Sequence, residues 1–182
     1  MAKDISNRYD KNENGELIIK ISTTNIEDLY ENYDKKSSFI KKDLDHKLED
    51  YLFESVKEIN DYPFVVEFYF KNGIDEASSN SLKTSIKEYF EYLQIVEKNS
   101  MKENLKNSLL FILIGFILIS LSFNIQEKDG FLYQLISEGS MVGGWVALWE
   151  AMTIILVNWL PLKKRLKIFK KITKAKIFCF NS

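Results

Sequence analysis

The 182-residue chain has one cysteine, Cys179, one histidine, His46, two prolines and seven glycines. A single thiol forms no intrachain disulfide and no thiolate cluster, which suits a reducing cytosol. Zinc sites built from several Cys and His of one chain are excluded, and a Cys–His pair or Ser–His–Asp triad would rest on Cys179 or His46 alone. There is no glycine-rich phosphate loop and no paired-carboxylate motif with a metal-ligand signature. Asp43 and Asp45 fit a helix start, where the helix dipole favours negative charge. The expectation is a protein that is not an enzyme and needs neither metal nor cofactor. The opening MAKDISNRYDKNENG lacks the apolar core of a signal peptide, so cleaved export is not expected. Acidic residues are missing from the far end: residues 163–182 carry eight basic side chains and none acidic, whereas residues 1–107 carry 16 basic and 22 acidic. The formal net charge of -1 conceals this asymmetry.

What is present divides into segments. Residues 1–15 have no apolar period and read as a flexible arm. Residues 16–22 (ELIIKIS) read as a strand, and residues 24–33 as a brief helix behind a Thr cap. Leu44, Leu48, Tyr51, Leu52, Val56 and Ile59 recur at helical spacing and predict a helix over 43–60. Residues 62–70 (YPFVVEFYF) predict a strand with Phe64, Val66, Phe68 and Phe70 on one side, stopped by the Asn72-Gly73 turn. Another helix begins near Ser79 or Asn80, with a narrow seam of Leu82, Ile86, Tyr89, Leu93 and Val96. That seam packs either on its own small sheet or in a bundle between subunits. The expected fold class is an α+β domain (β-α-β-α) over 16–104, followed by a two-helix transmembrane hairpin and a basic amphipathic C-terminal helix. Two parallel strands would leave sheet edges open, which oligomerisation could cover.

The hairpin expectation rests on two apolar runs. Residues 109–123 (LLFILIGFILISLSF) carry no charge, and extension to 105–125 adds only Lys106, whose side chain can snorkel to an interface. The second span covers 139–161, with 141–160 reading MVGGWVALWEAMTIILVNWL, then Pro161, and with Trp159 suited to an interfacial belt. Residues 126–138 form the external link. Lys98, Lys102 and Lys106 precede the first span and the basic tail follows the second. The positive-inside rule then puts both termini in the cytoplasm of a bacterial inner-membrane protein.

On a helical projection of the second span, Gly139, Ser140, Gly143, Ala147, Glu150, Ala151, Ile154 and Asn158 share one face, opposite Trp145, Trp149, Met152 and Leu156. Small residues at every fourth position allow close helix contact, so this face is expected to pack against protein. Glu150, at the middle of this span, would cost at least ~2.5 kcal/mol if left facing lipid. Three arrangements relieve that cost: a neutral acid donating to Ser120, Ser122 or Asn158, a water-filled oligomeric pore, or a distorted hairpin that brings water near.

In residues 162–182, Leu162, Leu166, Phe169 and Ile172 alternate with Lys163, Lys164, Arg165, Lys167, Lys170, Lys171, Lys174 and Lys176. This amphipathic pattern is expected to lie on anionic lipids of the inner leaflet, each basic residue contributing ~1 kcal/mol. Upstream, Lys35, Lys36, Lys41 and Lys42 flank Ser37, Ser38 and Phe39 and form either a solvated loop or a receptor for an anionic ligand.

The run GWVALW at 144–149, continuing to Asn158-Trp159-Leu160-Pro161 and basic residues, resembles a segment of small prokaryotic membrane proteins. That group reads acid-Trp-Trp-Pro at the stop, where this chain has Asn158 and Leu160. The layout is also similar to that of two-span effectors of bacterial anti-phage defence of the Hailong type, which implies a cytosolic domain controlling an oligomeric pore. The expectation is therefore a homo-oligomeric membrane effector whose conduction is gated by a ligand or cytosolic partner. The alternative is a non-conducting anchor or scaffold that recruits a partner to the inner leaflet.

Overall fold

The computed structural model describes residues 8–31 and 43–181. Its elements are β1 (Asp10–Lys11), β2 (Leu17–Thr23), a 3-10 turn (Ile26–Leu29), α1 (His46–Ile59), β3 (Phe64–Phe70), α2 (Glu76–Gln126), α3 (Phe131–Thr153), a π-helical segment (Ile154–Trp159), α4 (Leu160–Lys174) and β4 (Lys176–Asn181). The chain divides into two units. One holds residues 1–95 and 166–182 and the other residues 96–165.

The first unit is built on a four-stranded mixed sheet of order β1-β2-β3-β4. β2 and β3 run parallel with Leu17 opposite Phe64, as a helical crossover requires. Alternation along β3 sends Val66, Phe68 and Phe70 into the core, where they meet Leu48, Leu52 and Val56 of α1 and Leu82, Ile86 and Phe90 of α2. Asp45 caps α1 by accepting from the Lys47 N–H at 2.9 Å, and Asn60 ends it at φ 56°. The brief helix expected behind Thr24 is a single 3-10 turn behind Asn25, in a capping box with Asp28. α2 starts at Glu76 rather than Ser79, because the Asp75 side chain accepts from the Ser78 N–H. Its seam faces this unit's own core. Leu82 and Ile86 are buried, Tyr89 and Leu93 pack beside them, and Val96 remains exposed.

Two expectations change. From Arg8 onward the flexible arm is ordered. Asn12 accepts the backbone N–H groups of Asn14 and Glu16, Gly15 adopts φ 77°, and the turn pairs Asp10 with Ile18. The C-terminal residues are not a surface tail: β4 pairs parallel to β3, with Ile177 opposite Val66 and Cys179 opposite Phe68. Phe169 and Ile172 of α4 are buried in the core. The Phe169 ring lies 5.7 Å from Phe53, edge-on, and 5.6 Å from Phe90. Fully burying a Phe or Ile side chain stabilises by ~1.5–3 kcal/mol relative to leaving it in water, which holds α4 in the core. The β-α-β-α reading lacked both outer strands: β1 is two polar residues held by a local turn, and β4 owes its place to a partner more than a hundred residues away.

The returning segment is tied by ion pairs. Asp61 accepts from Lys171 at 2.8 Å and Lys167 at 3.3 Å, and Glu16 accepts from Lys176 at 3.1 Å. The Lys171 and Lys167 hydrogen bonds hold the Asp61 carboxyl below its ordinary range, and Asn12, then Lys176, do so for Glu16. A carboxyl whose folded value is depressed adds stability above its unfolded value, and that contribution is lost as pH falls through the folded one. The urea midpoint of this unit, followed by circular dichroism, is expected to fall between about pH 5 and pH 3. Asp61→Asn should flatten that fall, and an unchanged profile would count against the tether.

The second unit contains two antiparallel apolar helices, both long and apolar enough to cross a membrane. Within the expected link at 126–138, only residues 127–130 are outside helices. α3 already begins at Phe131, after Gly130 at φ 133°. The π segment precedes Pro161, which has no N–H to donate and whose ring crowds the carbonyl four residues back in an α-helix. The wider turn, in which the Leu160 N–H reaches the Ile155 carbonyl, accommodates it.

Candidate functional site

The hairpin's packing seam is made of small residues spaced by seven on both helices. Ser108, Gly115 and Ser122 of α2 meet Ala151, Gly144 and Ser137 of α3 in antiparallel order. The Ser108 hydroxyl donates to the Ala151 carbonyl at 3.1 Å, and the Ser122 and Ser137 hydroxyls lie 3.1 Å apart. The Ser137 hydroxyl also reaches the Ser122 carbonyl at 3.0 Å. Between these pairs the backbones meet directly. A Cβ on Gly144 would stand 2.6 Å from Ile119 and 3.0 Å from the Gly115 carbonyl. Seven-residue spacing keeps such contacts aligned along a left-handed supercoil. Side chains of minimal size let the backbones approach where there is no hydrophobic drive between helices.

This seam redistributes the expected site residues. Ala147 and Ala151 are buried between the helices. Gly143 packs near Leu118, but a Cβ on Gly139 would meet open space. The packing line follows Ser137, Gly144 and Ala151, not a four-residue ladder from Gly139, because supercoiled helices meet every seven residues. The sequence signal for it was the matched spacing of Ser108, Gly115 and Ser122 with Ser137, Gly144 and Ala151. Asn158 is exposed and lies in the π segment, where a count of 100° per residue no longer assigns it to the Glu150 face.

Glu150 points away from the seam and is exposed. Ser122, one of its expected acceptors, is committed to Ser137. The Ser108–Ala151 pair also fixes its height, which is level with Leu109 and one turn from Lys106. That is six residues, ~9 Å along the axis, from the Gly115–Gly144 crossing. Relative to that crossing, Glu150 is displaced toward the end of the hairpin that bears Lys106.

The tail cations divide in the same way. Lys167 and Lys171 bind Asp61, and Arg165 reaches the buried Glu97 at 2.9 Å. Lys163 sits 5.3 Å over the Trp159 ring. Lys164, Lys170 and Lys174 stay exposed, so of the eight tail cations only these and Lys163 are without an ion pair among the described residues. Lys35, Lys36, Lys41 and Lys42 lie outside the described residues.

The first unit has a cleft of about 760 Å³ beside β2, assembled from the arm, β2 and α1. Its charges pair with one another: Arg8 with Glu58 at 2.7 Å, Lys20 with Asp10 at 2.7 Å and Lys57 with Glu54 at 2.9 Å. The Tyr9 hydroxyl also donates to Glu58 at 2.7 Å, and that bond, then Arg8, holds the Glu58 carboxyl below its ordinary range. Sequence reading missed this cleft because its walls come from three separated segments. Among the described residues no cluster of three or more His, Cys, Asp or Glu could hold a metal ion. No known protein family, curated protein or solved structure matches the chain.

Proposed function

We propose that this is a two-span protein of the bacterial inner membrane that acts as a homo-oligomer, in which the Gly143–Glu150 flank of the hairpin lines an ion-conducting path. The carrying observation is the outward position of Glu150, whose carboxylate has no hydrogen-bond or ion-pair partner among the described residues. A carboxylate facing lipid at the centre of a span costs at least ~2.5 kcal/mol, less toward its ends, and a water-filled path shared between copies removes that cost. Both ends of the hairpin join one folded unit, which supports placing both termini on the same, cytoplasmic, side together with the flanking lysines. The sheet-bearing unit then serves as the gate, responding to a ligand or cytosolic partner. The resemblance to two-span anti-phage effectors supplies the setting.

A non-conducting anchor that recruits a cytosolic partner is the second reading. It is favoured by the height of Glu150, one turn from Lys106, from which its carboxylate can reach the interface without a pore. Ion flux through liposomes separates the two. Flux from wild-type protein that falls steeply in Glu150→Gln supports the pore, and well-inserted protein that passes no ions, with or without cell extract, supports the anchor.

A further inference from the structure

On the flank of the seam opposite Glu150, an apolar groove of about 440 Å³ runs between the two helices. Its walls include Ile112 from α2 and Trp145, Leu148, Trp149, Met152 and Leu156 from α3. The size falls in the ~300–1,000 Å³ of ligand sites, and no charged side chain lines it. Four of the walls are largely exposed: Trp145 57%, Trp149 65%, Met152 51% and Leu156 55%.

Charge identifies the occupant. Ile112, Leu105 and Lys98 are spaced by seven and so follow one flank of α2 beside the seam, with Lys102 one turn from Lys98 on the outer side. From Ile112 to Lys102 is ten residues, ~15 Å along the axis. The groove therefore continues at its lysine-bearing end into two exposed ammonium groups, and neither makes an ion pair among the described residues. The nearby acids do not oppose them. At 100° per residue, Glu103 and Glu150 fall on the other flank, and Glu97 is engaged by Arg165 within the seam.

We infer that this groove binds one anionic phospholipid of the inner leaflet, with an acyl chain along Ile112, Trp149 and Met152 and the phosphate at Lys98 and Lys102. Basic pockets at the cytoplasmic ends of membrane helices select such headgroups, and the apolar walls hold the chain that a soluble phosphate lacks. The two flanks of the hairpin then divide the work: Glu150 faces protein and the tryptophans face lipid. This site rests on the membrane-spanning reading.

The test uses the full chain with Trp159→Phe, so that Trp145 and Trp149 carry the fluorescence. It is placed in vesicles of phosphatidylcholine and phosphatidylglycerol at a fixed ratio, with brominated chains on one lipid or the other. Per molecule, brominated phosphatidylglycerol should quench at least about fivefold more, the effect of a single lysine at an anionic surface. Lys98→Gln with Lys102→Gln should bring the ratio to one, whereas Lys163→Gln with Lys164→Gln should leave it in place. Equal quenching in the parent protein, or a preference lost only with the Lys163 and Lys164 changes, overturns the lipid site. Quenching by neither lipid overturns the membrane-spanning reading and takes the site with it.

Discussion

Phe169→Ala is expected to cost the sheet-bearing unit about 3–5 kcal/mol, the range for truncating a fully buried aromatic ring. The ring is 1% exposed and wedged between Phe53 and Phe90, so its removal opens a cavity where α4 joins α1 and α2. It also loosens β4, whose place beside β3 depends on α4 being docked. Lys170→Ala, next in sequence but exposed, should stay within about 0.5 kcal/mol. Urea unfolding followed by circular dichroism measures both. Equal midpoints for the two variants would return residues 162–182 to the status of a surface tail.

The second large effect is expected at the helix crossing. A side chain on Gly144 points into Ile119 at 2.6 Å and the Gly115 carbonyl at 3.0 Å, so the helices must separate to admit it. Added methylenes in a packed core cost about 1–3 kcal/mol, and Gly144→Leu adds four carbons against backbone that has no freedom to yield. The readout is a disulfide between Ser122→Cys and Ser137→Cys, made with Cys179→Ser, since the two hydroxyls lie 3.1 Å apart. The disulfide should form in this parent and be lost with Gly144→Leu. It should persist with Gly139→Leu, whose Cβ meets open space. Equal cross-linking in all three would contradict the seven-residue seam.

Much of the fold was legible where one local pattern dominates. The period of Leu48, Leu52 and Val56 marks α1, the alternation of Val66, Phe68 and Phe70 marks β3, and the uncharged run at 109–123 marks the apolar half of α2. The segment KIFCFN was not legible as a strand. Ile177 and Cys179 face the core while Phe178 and Phe180 face outward, so both sides are apolar and the lysine-rich stretch before it dominates the pattern. At the candidate site, the helical projection separated Glu150 from the tryptophans, but the contact line within the hairpin runs through Gly144 and Ser137 and not through Gly143 and Gly139. On a straight helix a four-residue ladder drifts ~40° per step and a seven-residue one only ~20°, so counting back from Ala151 the contact line has left Gly143 but still holds Gly144.

The sequence by itself determined which segments are apolar, which carry the charge, and the periods that make helices and strands. These depend on each residue's own transfer free energy and its near neighbours. Only the tertiary structure decided that the last residues complete the sheet, that Glu150 lies level with Leu109, and that Arg165 serves Glu97 and not lipid. Those outcomes depend on partners more than forty residues away in the chain, and packing, which local pattern does not encode, selects among them.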